Sequence, residues 1–157
     1  MATVKRSIRV AAPAEELFAL AQDYSLRRRW DPIHGEYEFL DGTDKGPGAR
    51  LRYRAKSGVT MNVRYVSFQP PERAAIAMIS GPYVFERFAG AWIFKRLGAS
   101  ETLVEFQYHF ALRPRWLSWA LNSVVRASLT RGMDARLRGL KQFAERAQNS
   151  LPILLYP

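Results

Sequence analysis

The sequence predicts an α+β domain: one strand, two short helices, a run of antiparallel strands and a long closing helix. Three observations carry this. The alternating segment ending at Val10 runs straight into Pro13 and a helical pattern. From Ile33 to Leu112 the hydrophobic period is two, and after Pro114 it lengthens to that of an amphipathic helix. A strongly curved antiparallel sheet cannot cover its own concave face, and a single helix laid across it leaves room for a small molecule. The expected object is a container.

Each element has its local reason. Val4, Ser7, Ile8 and Val10 form the first strand. Pro13 suits the first helical position, where its missing N–H costs nothing, and Glu15 and Glu16 favour the helix dipole. Leu17, Phe18, Leu20 and Ala21 supply that helix with an apolar face. Asp23 caps a second helix through Leu26, which ends in Arg27, Arg28 and Arg29. Trp30 then offers a large anchor, and Pro32 forbids helix beyond Asp31.

Strands follow over 33–39, 50–56, 60–68, 73–80, 84–97 and 102–112, separated by glycine- and proline-bearing turns. The cleanest puts Arg50, Arg52, Arg54 and Lys56 on one face and Leu51, Tyr53 and Ala55 on the other. That alternation means one wet face. The terminal helix runs from Pro114 to about Ala147, and at roughly 50 Å it is expected to bend near Gly132. Residues 1–147 thus make a single domain, followed by an apolar tail over 148–157 that docks on the body or on a neighbour.

Composition narrows the function classes. The chain has 157 residues, enough to bury roughly two-thirds of its unfolded surface in one core. There is no cysteine and only two histidines, so disulfides and a structural zinc site are excluded, and no metal or cofactor is expected. Aromatic residues reach 13%, which suits an aromatic-lined cavity. The net charge of +10 comes from arginines spread along the chain, not gathered in a tail. It reads as a basic soluble surface and not as a specific nucleic-acid site. Without a signal-peptide pattern or a membrane-length apolar run, a cytoplasmic location is the expectation.

The segment from Ile8 through Pro13 to Phe18, then Trp30-Asp31-Pro32, then Leu112-Arg113-Pro114 ahead of Leu137 to Lys141, resembles the START-like (SRPBCC) superfamily. More narrowly it is similar to the bacterial polyketide cyclase/dehydrase and lipid-transport branch. The resemblance extends to about Ala147 and implies a helix-grip fold. In that fold a seven-stranded antiparallel sheet wraps around the C-terminal helix, over a cavity for a hydrophobic ligand. Function does not follow from that fold alone, because its members include carriers, cyclases and quinone-binding proteins.

Strand parity sorts the candidate residues. His34 shares a phase with Glu36 and Glu38, and His109 with Glu105 and Gln107, so both are expected on the convex polar face. The opposite phase gathers Tyr37, Phe39, Tyr53, Phe106, Tyr108 and Phe110 on the concave face, where tyrosine hydroxyls orient a polar group. In the sixth strand the inward phase holds Glu86, Phe88, Trp92 and Phe94. Glu86 is then the carboxylate sent toward the cavity, and the candidate acid or base, unless an arginine engages it at the strand end. On the terminal helix Met133 and Leu137 lie in the apolar stripe, with Arg126 and Arg136 inside the same sector. Each arginine either snorkels to the rim or meets an acidic ligand. Arg113, Arg115, Trp116 and Trp119 either touch a membrane surface or, as the plainer expectation, cover the end of the sheet.

The leading functional expectation is binding or transport of a hydrophobic small molecule such as a lipid, quinone or polyketide-like compound, by a monomer or homodimer. A cyclase or dehydratase acting by shape and one or two polar groups is the alternative. An accessory protein working through protein contacts is a third.

Overall fold

The computed structural model describes residues 1–42 and 44–154, with side chains up to Asn149. Strand β1 spans Ala2–Val10, followed by α1 (Ala14–Gln22) and α2 (Tyr24–Trp30). Six strands follow: β2 His34–Phe39, β3 Arg50–Ala55, β4 Thr60–Gln69, β5 Arg73–Ser80, β6 Phe85–Gly98 and β7 Glu101–Leu112. A 3-10 turn at Arg115–Leu117 leads into α3, Ser118–Leu154. The seven strands form one antiparallel sheet in the order β1-β7-β6-β5-β4-β3-β2. This is the helix-grip architecture.

Because β1 and β2 occupy opposite edges, the chain must cross the whole sheet between them, and α1 and α2 make that crossing. The junction is capped as the sequence predicts: Asp23 accepts from the backbone N–H of Ser25 at 3.0 Å and Leu26 at 3.3 Å. Helix α2 continues to Trp30, and Pro32 prevents further helix.

Helix α3 lies along β1 and β7. Arg6 of β1 pairs with Asp134 at 2.7 Å, and Lys141 donates to the carbonyl of Arg9 at 2.8 Å. Met133, Leu137, Leu140 and Ala144 are buried beneath the helix, so the predicted stripe faces the sheet. The helix is unbroken through Gly132. What Gly132 and Gly139 provide is close approach. A Cβ on Gly132 would lie 2.8 Å from Cδ1 of Ile33, and one on Gly139 only 2.0 Å from the carbonyl oxygen of Trp30. The Trp30-Asp31-Pro32 segment therefore rests directly on α3.

The backbone of α3 extends past Ala147, through the first part of the expected tail. Gln148, at the start of the tail, donates to Glu16 of α1, whereas the side chains from residue 150 onward, and residues 155–157 altogether, lie outside the described residues. Trp116 and Trp119 do not cover the sheet, being 76% and 79% exposed. Among the described residues no helix is long and apolar enough to cross a membrane.

Candidate functional site: a polar cluster in an aromatic cavity

Between sheet and helix lies a cavity of about 400 Å³, within the usual range for small-molecule sites. Its floor comes from β6 and β7. Trp92 and Phe106 stack with centroids 4.2 Å apart, and Phe88 and Tyr108 meet at 4.8 Å. Small residues keep the space open: a Cβ on Gly90 would come within 3.0 Å of the Tyr108 ring. Val125, Leu129 and Met133 of α3 form the roof, while Leu51, Tyr53, Met61 and Val63 form one side. Ser57, Val59 and Ser128 also line it and are exposed, which sets the mouth between the β3–β4 turn and the first half of α3.

The polar groups converge from three directions. Arg136, on the same face of α3 as Gly139, is 8% exposed. Its Nε donates to Oδ1 of Asp31 at 3.2 Å, and its two terminal nitrogens donate to the hydroxyls of Tyr108 at 2.9 Å and Tyr53 at 2.6 Å. A hydroxyl that accepts from a guanidinium keeps its own proton free to donate. Tyr53 and Tyr108 thus present two donors to the cavity they line. Burial raises the Tyr53 pKa, although Arg136 opposes the shift, so Tyr53 acts as a neutral donor.

Asp31 is completely buried. Its Oδ1 also accepts from the backbone N–H of Ile33 at 3.0 Å and His34 at 3.2 Å. Burial alone would raise its pKa, but the charges of Arg136 and Arg27 outweigh it and hold the carboxyl below its ordinary value. Arg27 of α2 approaches the other oxygen, with Nε 3.4 Å from Oδ2. At the end nearer α1, Tyr65 donates to Gln22 at 2.8 Å and accepts from Tyr24 at 2.8 Å.

The structure brings Tyr53, Trp92, Phe106, Tyr108, Met133 and Arg136 to the cavity wall. Several other sequence candidates do not line it. Tyr37 and Phe39 are half-buried with their rings on Tyr24, at 5.2 and 5.6 Å, and Tyr24 takes the wall position. Phe110 and Leu137 are buried in the core away from the cavity. Arg126 is exposed, so its place in the helical sector does not bring it inward.

Two parity expectations are corrected, both for the same reason. The β2–β3 register shifts between His34 and Glu36, with Gly35 as the extra residue. His34 therefore turns inward and is fully buried among the rings of Tyr24, Tyr37 and Tyr53. A second shift, between Phe85 and Arg87, takes Glu86 out of phase. Phe85 lines the cavity instead, and Glu86 bonds to Arg115 at 2.9 Å, which holds its pKa below the ordinary glutamate value. His109 stays on the outer face and bonds to Thr3 at 2.9 Å.

Sequence reasoning missed Gln22, Tyr24, Arg27 and Asp31 as site residues. The available signal was the helix-capping Asp23 and the Trp30-Asp31-Pro32 stop, which together place a short basic helix at the concave side of the sheet.

Comparison with known proteins agrees with this architecture. The chain superposes on the aromatase/cyclase Zhui from Streptomyces sp. R1128 with a TM-score of 0.74 and 21% identity, over 92% of this chain and 94% of that one. A START superfamily protein from Mycobacterium smegmatis matches with a TM-score of 0.74 and 17% identity, over 92% and 98%. The di-domain ARO/CYC BexL from the BE-7585A biosynthetic pathway matches with a TM-score of 0.77 and 18% identity. There the match covers 95% of this chain but only 48% of the larger one, about half its length. At these identities the likeness is one of fold. A search of the curated proteins found no match. The family model for polyketide cyclase/dehydrase and lipid transport matches residues 1–145, and the chain belongs to that family.

Proposed function

We propose that this protein binds and carries a hydrophobic small molecule bearing at least one oxygen function, in the cavity between sheet and α3. The supporting observation is the combination of a cavity of about 400 Å³, walled by aromatic and aliphatic side chains, with two tyrosine hydroxyls presented by one buried arginine. Apolar walls supply affinity and a few convergent polar groups supply orientation. Trp116 and Trp119, exposed beside Arg113 and Arg115, suit a transient membrane contact during ligand exchange.

A second reading is favoured by the same pair of hydroxyls. Two donors polarised by Arg136 suit the stabilisation of an enolate oxygen, as a cyclase would require. On this reading Tyr53→Phe abolishes turnover while leaving apolar binding intact.

The test is saturable binding of an environment-sensitive apolar dye, with native mass spectrometry of the purified protein to identify any retained ligand. Ser128 is exposed at the mouth, so Ser128→Trp obstructs access without touching the core. Dye affinity should fall by about tenfold with stability changed by less than ~0.5 kcal/mol. Unchanged dye binding in this variant would place the ligand elsewhere.

A further inference from the structure

The cluster at the cavity wall does not balance in charge. Among the described residues, Asp31 is the single carboxylate between two buried guanidiniums, Arg27 and Arg136. His34, whose pKa burial lowers to about 4, is neutral at pH 7 and does not change the sum. One positive charge is left in excess in an apolar enclosure, where an uncompensated ion is costly.

The excess sits on Arg27. All three nitrogens of Arg136 have partners, in Asp31, Tyr108 and Tyr53. Arg27 is equally buried, 6% exposed, and lines the cavity, but its side chain hydrogen-bonds to nothing among the described residues. Its Nε faces Oδ2 of Asp31 at 3.4 Å in a geometry that makes an ion pair and no hydrogen bond, leaving both atoms without one. The guanidinium is held in place by rings: Tyr24, Trp30 and Trp92 lie 5.0, 5.7 and 5.8 Å from its central carbon. It is thus fixed in position, unsatisfied as a donor and in contact with the cavity.

We propose that the ligand is an amphipathic carboxylic acid whose ionised head is seated on Arg27 while its apolar body fills the cavity. This rests on the cavity-binding reading above and deepens it. A planar guanidinium with open donors matches a carboxylate edge to edge. A single negative charge brings the buried cluster to zero, whereas a dianionic phosphate monoester would overshoot it and leave a buried negative charge. The assignment also moves the anion-reading role from Arg136, where helix periodicity places it, to Arg27.

The test compares dodecanoate with methyl dodecanoate, which share a chain and differ in charge, by displacement of the apolar dye at pH 7.5. The acid should bind the wild-type protein at least about tenfold more tightly than the ester, ~1.4 kcal/mol. Arg27→Met should bring that ratio close to one with ester affinity little changed. The empty variant should melt no lower than wild type, since Asp31 and Arg136 remain as a balanced pair. Equal binding of acid and ester by wild type overturns the proposal and leaves the carrier reading standing. So does a preference that survives Arg27→Met. If neither compound displaces the dye from folded protein, the proposal falls, and the carrier reading is decided by dye binding to Ser128→Trp. The wild-type ratio decides even if the variant does not fold.

Discussion

Gly139 and the carbonyl oxygen of Trp30 are in such close contact that a Cβ on Gly139 would stand 2.0 Å from that oxygen. This seats the end of α2 on α3 and brings Asp31 to Arg136, one helical turn before Gly139. The obstruction is backbone, which cannot swing aside. Gly139→Ala should therefore destabilise by about 1–3 kcal/mol through overpacking, despite the better helix propensity of alanine. Gly132→Ala meets only the tip of the Ile33 side chain and should cost much less. Urea unfolding of the two variants checks this, and equal effects would argue against the α2–α3 contact as the organiser of the site.

Arg136→Met removes one ionic and two neutral partners at once. Asp31 keeps Arg27, so the change leaves no lone buried charge, but the hydroxyls of Tyr53 and Tyr108 lose their donor. The expected loss is about 1–3 kcal/mol of stability, less than for a fully orphaned ion pair. Arg27→Met should show no such loss, and chemical denaturation of both separates the two roles.

The buried His34 predicts a pH dependence. Its pKa falls to about 4 from 6.5 because burial penalises the imidazolium, with Arg27, Arg136 and Arg28 adding to the effect and Asp31 opposing it. Between pH 6.5 and 4 the unfolded chain takes up a proton that the folded chain refuses. Stability is therefore whole above pH 6.5 and declines as pH falls through that window, by on the order of 3 kcal/mol at ~1.4 kcal/mol per pH unit. At lower pH Asp31 adds its own loss, because its depressed pKa makes the folded state prefer the ionised form. His34→Phe should flatten the decline between pH 6.5 and 4 while leaving the steeper acid limb. A decline of unchanged slope in this variant would assign the window to other groups.

Element order, the Asp23 cap and most of the concave face were legible in the sequence for a local reason, although Pro13 stands at the N-cap and the first helix begins one residue later, at Ala14. Asp23 meets its own next turn, Pro32 blocks its own helix, and the alternation around Tyr53 and Phe106 is written two residues at a time. Such features depend on neighbours along the chain, and composition and periodicity report them. They were enough to place Tyr53, Trp92, Phe106, Tyr108, Met133 and Arg136 around one space.

The sequence by itself determined an antiparallel sheet closed by a long helix, and an aromatic container between them. Tertiary structure alone decided which polar groups join Tyr53, Tyr108 and Arg136 there. A bulge of one residue at Gly35 reverses the face of His34, and another near Phe85 expels Glu86, because side-chain parity survives only while the ladder stays in register. The pairing of Asp31 with Arg136, 105 residues apart, depends on a helix-to-helix approach that no local pattern records. Whether a buried arginine is satisfied or left open is a property of its surroundings, and that difference separates Arg136 from Arg27.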